Sequence, residues 1–124
     1  RVITDDDEYL LAKLITAEAQ GEPFEGQVAV GAVALNRIKS PYFPDTLKEV
    51  IYQKNQFACL PKLPSIEPTA PAIRAAKEAL SGNDPSLGAL YYYNPLLAST
   101  EGLRFFATAD IQMTVKIGNH IFFK

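Results

Sequence analysis

The sequence predicts an α+β domain, mostly helical, with its β structure concentrated in the second half. Three observations predict it. Apolar residues recur at three- and four-residue spacing through the stretches before Leu80, the period of one helix face. Thr4, Ser40-Pro41, Thr69 and Ser81-Gly82 punctuate that region into helix-sized pieces. Beyond them, "ALYYYNP" is β-prone, and "QMTVKIGNHIFFK" alternates apolar residues before Gly118-Asn119, a hairpin signal.

Each element has a local reason. Thr4 can cap a first helix whose opening acids, Asp5, Asp6 and Asp7, suit its positive end. That helix should run to about Ala19, where Gln20-Gly21 stops it and Pro23 forbids continuation. Glu22 to Gly26 reads as a short exposed connection. A second helix covers about Gly26 to Lys39, and its Ala29, Gly31, Ala32 and Ala34 allow a neighbour to approach closely. Pro44-Asp45-Thr46 opens a short third helix to about Gln53. "KNQFACLPKLPSIEP", with three prolines and no sustained period, reads as a long loop or distorted hairpin, the kind of segment that often carries function. Thr69 caps the helix "APAIRAAKEAL", which carries Pro71 in its first turn. A strand then stops at Asn94-Pro95.

The totals bound the function. The 124 residues suit one domain, and 48 % apolar with 21 % charged residues is an ordinary globular composition. A net charge of −2 gives no electrostatic reason to expect nucleic acid. No apolar run approaches the ~20 residues needed to span a membrane. Cys59 is alone, so no internal disulfide forms. With one His, His120, these residues offer no zinc ligand set, and no metal is expected. A thiol nucleophile at Cys59 would need His120 as its base, which is the weakest of the mechanisms considered. His120, following a hairpin turn, reads first as a structural histidine. The chain opens at Arg1, so residues 1–124 are expected to be one domain excised from a longer exported protein.

Glu18 is the residue that breaks a rule. In "LITAEAQGEP" it lies four residues after Leu14 and seven after Leu11, and so extends an apolar stripe facing the core. Two readings stand on the pattern alone. A glutamate at a helix end can swing into water or pair with a lysine. Alternatively, a carboxyl against apolar neighbours loses hydration when ionised, which favours the protonated form required of a general acid. Ala17 and Ala19 beside it would leave a substrate room.

Four stretches, "AEAQGEPFEGQVAVGAVALNRI", "IYQKNQF", "GALYYYNP" and "IGNHIFFK", in that order, strongly resemble the SleB/CwlJ family of bacterial cell wall hydrolases, the spore-cortex-lytic enzymes and their relatives. The match runs from about Leu11 to Lys124. The resemblance implies a lysozyme/lytic-transglycosylase-like domain that cleaves peptidoglycan between N-acetylmuramic acid and N-acetylglucosamine. It implies that the catalytic glutamate is the first of the E-A-x-G-E-P motif, here Glu18. Gln20 stands where many relatives have arginine, and "CLPKLPSIEP" and "STEGLRFFATADIQM" match less well.

Alternation sends Tyr91 and Tyr93 to one face of their strand and Tyr92 to the other. Tyr93-Asn94 resembles the Tyr-Asn pair of related transglycosylase folds, so Tyr93 and Asn94, with Tyr91 after them, are the expected cleft residues. The bland alternative is a half-buried aromatic strand. Gln56 suits a sugar N-acetyl group and Phe57 a pyranose face, though both equally suit a loop beside a buried anchor. Glu22, within the motif, is an expected substrate-binding residue or, like Glu25, a second carboxylate; the alternative for both is an exposed loop charge. The expected activity is that of a lytic transglycosylase giving 1,6-anhydromuramic ends, with no cofactor. Hydrolysis by a muramidase or glucosaminidase, or peptidoglycan binding without catalysis, are the rivals. The chain is expected to act as a monomer, exported to the cell wall or spore cortex, with peptidoglycan glycan strands as partner, and the resemblance further implies an accessory spore protein.

Overall fold

The structure, a computed structural model, describes residues 3–53 and 60–124. Gln56, Phe57 and Cys59 lie outside the described residues. Helix α1 spans Asp5–Ala19 and opens on a capping box, in which Thr4 Oγ1 accepts from Asp7 N and Asp7 accepts from Thr4 N. Helix α2 spans Phe24–Lys39, two residues earlier than the glycine-rich pattern suggests, because Pro23 already has the fixed φ that leads into a helix. A one-turn α3, Leu47–Ile51, is capped by Thr46. A 3₁₀ helix at Leu60–Ser65 stands where a loop or hairpin was expected, and buries Leu63. Helix α4, Ala70–Leu80, is capped by Thr69 Oγ1, which accepts from Ala72 N.

Strand β1 spans Tyr91–Tyr93, β2 Met113–Ile117 and β3 His120–Phe123. They form one antiparallel sheet in the order β1-β3-β2. Between β1 and β2 lies α5, Thr100–Thr108, which the sequence reading does not contain. Its signal is Ser99, whose hydroxyl accepts from Gly102 N. Leu103 and Phe106, three apart, form its apolar face, although none of its residues is fully buried.

Helices α1, α2 and α4 enclose the core with Leu11, Leu14, Ile15, Val28, Val33 and the alanine face Ala72, Ala75, Ala76 and Ala79. Gly31 makes the crossing possible: a Cβ there would lie 2.9 Å from Ile15 Cδ1 and 3.3 Å from Ala79 Cβ. The sheet joins the same core through one face. Phe122 is fully buried, and Tyr92, its partner in the β1–β3 register, packs beside it. No described helix is long and apolar enough to cross a membrane.

Candidate active site

Glu18 sits in the last turn of α1, half-buried, at the edge of the core stripe it extends. Its partner comes from 74 residues away: the Tyr92 hydroxyl donates to Glu18 Oε1 at 2.6 Å. Among the described residues, Tyr92 is the one that hydrogen-bonds Glu18. One carboxyl oxygen is therefore held by a hydroxyl from the sheet.

The strand that delivers Tyr92 is fastened at its entry by the end of α2. Asn36 Nδ2 donates to Ala89 O and to Asp84 Oδ2, and Arg37 Nε donates to Leu90 O at 2.7 Å. Burial alone would raise the Asp84 pKa. Hydrogen bonds from Ser86, Asn36 and the Gly88 amide outweigh it and hold the carboxyl below its ordinary range. Arg37 is 4 % exposed, with its guanidinium over Phe43 at 4.8 Å and Tyr91 at 5.8 Å. Burial lowers its pKa, while Tyr92, Tyr91 and Glu18 act in the other direction, so this buried cation lies within electrostatic reach of the acid. Sequence reasoning missed Arg37. The available signal was a charge on the Val30, Val33, Ala34, Ile38 face of α2, the same signal that singles out Glu18 on α1.

The alternation of the three tyrosines is as expected, and it is Tyr92 that meets Glu18. Tyr91 and Tyr93 face the other way, into an aromatic cluster under α5. Tyr93 stacks on Phe106 at 4.2 Å, with the planes 6° apart, and Tyr91 sits 6.0 Å from both Phe43 and Phe105. Asn94 turns the chain after β1: its Oδ1 accepts from Leu96 N, and its carbonyl from Leu97 N and Ala98 N. None of these three touches Glu18.

Glu22 corrects the reading of an exposed connection. Its side chain is 8 % exposed. Oε1 accepts from Asn119 N at 2.8 Å, and Oε2 from Asn119 Nδ2 at 3.3 Å, so it pins the β2–β3 turn to the end of α1. The turn fits only because residue 118 is glycine. Gly118 has φ of 58°, and a Cβ there would collide with Glu22 Oε1 and lie 2.9 Å from Pro23 Cδ. Glu25, in the first turn of α2, is exposed as expected. His120, 5 % exposed, lies behind both groups. Its Nδ1 is 3.8 Å from Glu22 Oε1, too far for a hydrogen bond, and its ring meets the Tyr92 ring edge-on at 5.0 Å. Burial pushes the His120 pKa down, against the opposing pull of Glu22 and Glu18, so the ring is neutral at neutral pH.

A carboxyl held in this way can give a proton to a leaving group and take one back. The chain is similar to known proteins over most of its length. A family model described as Cell Wall Hydrolase matches residues 21–123. A spore cortex-lytic enzyme from Halalkalibacterium halodurans is 42 % identical over 120 residues, covering 96 % of this chain and 35 % of that protein. A second, from Oceanobacillus iheyensis, is 41 % identical over 122 residues, covering 98 % and 42 %. The chain thus spans about two-fifths of the length of these relatives. Among solved structures, the catalytic domain of the germination-specific lytic transglycosylase SleB from Bacillus anthracis superposes with a TM-score of 0.87 at 37 % identity, covering 98 % of this chain and 96 % of that one.

Proposed function

The chain belongs to the cell wall hydrolase family, and from that premise we propose that it is a catalytic domain that cleaves the glycan strands of peptidoglycan, spore cortex included, as a lytic transglycosylase with Glu18 as its acid and base. The observation that carries this reading is the hold on Glu18, a half-buried carboxyl at the end of α1 whose Oε1 accepts from the Tyr92 hydroxyl at 2.6 Å.

The reaction needs one carboxyl twice. Glu18 protonates the glycosidic oxygen, the bond from muramic acid C1 to that oxygen breaks, and N-acetylglucosamine leaves with a free hydroxyl. Positive charge develops at C1 and its ring oxygen. The Glu18 carboxylate then takes the proton of the same muramic acid's C6 hydroxyl, and O6 closes on C1. The product carries a 1,6-anhydro ring, no water is consumed, and Glu18 ends protonated as it began. As the proton leaves in the first step, the Tyr92 hydrogen bond becomes charge-assisted and strengthens, which lowers the barrier rather than merely binding the ground state.

The rival, hydrolysis, uses a second carboxylate across the scissile bond. Glu22 has both oxygens committed to Asn119 and Glu25 lies exposed on the far side of Pro23, which supports the single-carboxyl route. General acid–base chemistry of this kind requires no cofactor. Sugar subsites are proposed beside Glu18 with Gln56 and Phe57 as contributors, and Tyr91, Tyr93 and Asn94, which lie on the α5 side of the strand, are proposed to serve subsites farther from the scissile bond. A peptidoglycan substrate requires export to the cell wall or cortex. One chain carries every group named in the mechanism, so a monomer is the proposed acting form, with any accessory spore protein serving delivery rather than chemistry.

Two measurements test the reading. Glu18→Gln keeps size and hydrogen bonding but removes the acid, and should lower turnover of purified cortex or wall peptidoglycan at least about a hundredfold while the protein stays folded. Mass spectrometry of the unreduced wild-type digest should find anhydro ends. Reducing ends, heavier by one water, would show that water is the acceptor. Substantial turnover by folded Glu18→Gln would remove Glu18 from the chemistry.

A further inference from the structure

Glu22 and His120 take no part in the mechanism above, yet both are buried beside it. Their contacts form a closed path. From Glu18 the path passes to the Tyr92 hydroxyl, through the Tyr92 ring to the edge of His120, along the chain to Asn119, and through its amide and side chain to Glu22. Glu22 lies only four residues after Glu18, so the path returns to the end of the helix where it began. Three separate stretches are tied in one ring: the α1 terminus, β1 and the β2–β3 turn.

Each link has a geometric consequence. Glu22 fixes the residue immediately before His120, and the β3 register then puts His120 on the same face as the fully buried Phe122. The Tyr92 ring is held between them, 5.0 Å from His120 and 5.7 Å from Phe122. The groups facing His120 are Glu22 and Glu18 from the α1 end, Tyr92 from β1 and Phe122 from its own strand. Among the described residues its Nδ1 has no hydrogen-bond partner, so its contact with Tyr92 is through the ring edge. The ring works by its edge and its bulk.

We propose that His120, set in place by the Glu22–Asn119 clamp, is a positioning residue that holds Tyr92 at the angle from which its hydroxyl orients the Glu18 carboxyl. The proposal rests on Glu18 being the catalytic acid. His120 never touches substrate and acts through Tyr92 alone. The link is therefore falsifiable in a way that ordinary structural support is not, because removing the Tyr92 hydroxyl must remove the effect of His120 on turnover.

The experiment is a double-mutant cycle on this chain, with soluble peptidoglycan glycan strands as substrate. His120→Asn removes the ring and should lower kcat about tenfold with little change in KM, the scale of a slightly misaligned catalytic group. His120→Phe restores a ring edge without the nitrogens and should recover most of the lost kcat. Introduced into Tyr92→Phe, the same His120→Asn change should cost less than about twofold, because coupled residues are not additive. A wild-type kcat in His120→Asn overturns the proposal, and so does a full tenfold loss on top of Tyr92→Phe. If His120→Asn does not fold, His120→Leu, which keeps buried volume without a ring, carries the same expectations. Glu18→Gln, run in parallel, separates the two claims. An inactive Glu18→Gln beside an unaffected His120→Asn sinks only the positioning role, whereas an active Glu18→Gln sinks the acid assignment itself.

Discussion

Tyr92→Phe is the most informative single change, because it deletes one oxygen and almost nothing else. The ring keeps its edge contact with His120 at 5.0 Å and its contact with Phe122 at 5.7 Å, so packing survives. What disappears is a 2.6 Å hydrogen bond to a carboxyl that must become negative as it gives up its proton. A bond to a charged partner contributes roughly 1.5–3 kcal/mol. At about 1.4 kcal/mol per decade of rate, kcat should fall roughly ten- to a hundredfold. KM should barely move, because the bond strengthens in the transition state and the hydroxyl is already engaged with Glu18. Folding stability should drop by only about 1 kcal/mol, the net value of an ordinary hydrogen bond. The assay is initial release of fragments from soluble glycan strands over a range of concentrations, with a thermal melt on the same samples. A folded Tyr92→Phe with wild-type kcat would refute the reasoning, and a change confined to KM would move Tyr92 from the acid to substrate binding.

Stability should fall as pH drops below about 6.5, the ordinary histidine value. The folded His120 resists protonation while the unfolded one accepts it, so the unfolded chain binds more protons in that range and gains ground. Urea midpoints at pH 7.5 and 5.5 should show the drop in wild type and a smaller one in His120→Phe, since His120 is the one histidine of the chain. Asp84 acts in the same sense at lower pH: held below its ordinary pKa, it contributes stability that is lost as pH falls below about 4, so Asp84→Asn should flatten the acid end of the same curve. Gly118→Ala should destabilise by about 2 kcal/mol or more, because the residue needs positive φ and its Cβ would strike the Glu22 carboxylate; differential scanning calorimetry reads the loss. In graded urea, activity should vanish at lower denaturant than helical circular dichroism does.

Much of the helical half was legible because its signals are local. Thr4, Thr46 and Thr69 announce their helices within three residues, and the structure uses each as a cap. Glu18 was legible as an anomaly on a face, and Arg37 was equally so, since both are charges on an apolar stripe. The rest depended on partners far along the chain. Strand alternation says that Tyr92 differs from Tyr91 and Tyr93, but not which face meets α1. That is decided by the pairing of Tyr92 with Phe122, which fixes the core side of the sheet. The resemblance pointed to Tyr93 and Asn94, whereas the structure gives Tyr93 to an aromatic stack and the Asn94 Oδ1 to a turn. Glu22 read as exposed because Gln-Gly-Glu-Pro is loop composition. Its burial comes from a turn 97 residues later. Helix α5 carries a signal that the sequence reading misses: Ser99 caps it and Leu103 and Phe106 lie three apart on one face.

That division between local and distant signals also says how the site is assembled. The α1–α2–α4 core can close on its own alanine, valine and leucine faces, with Gly31 admitting the crossing. Completed in that way, it presents Glu18 at a helix end with nothing holding the carboxyl. The hold arrives only when the sheet docks, because Tyr92, His120 and Asn119 all belong to the C-terminal third of the chain. The docked sheet is attached by one fully buried large side chain, Phe122, by the partly buried Tyr92, Val115 and Ile117, by the Glu22 clamp and by the Asn36 and Arg37 bonds to the entry of β1. Its outer margin is exposed at Met113, Leu96 and Leu97. Segments with fewer buried contacts open at lower free energy than the helical core. The acid is therefore oriented by the part of the fold that loosens first. That is why activity should fail before the helices do, and why the clamp sits where the loosening would begin.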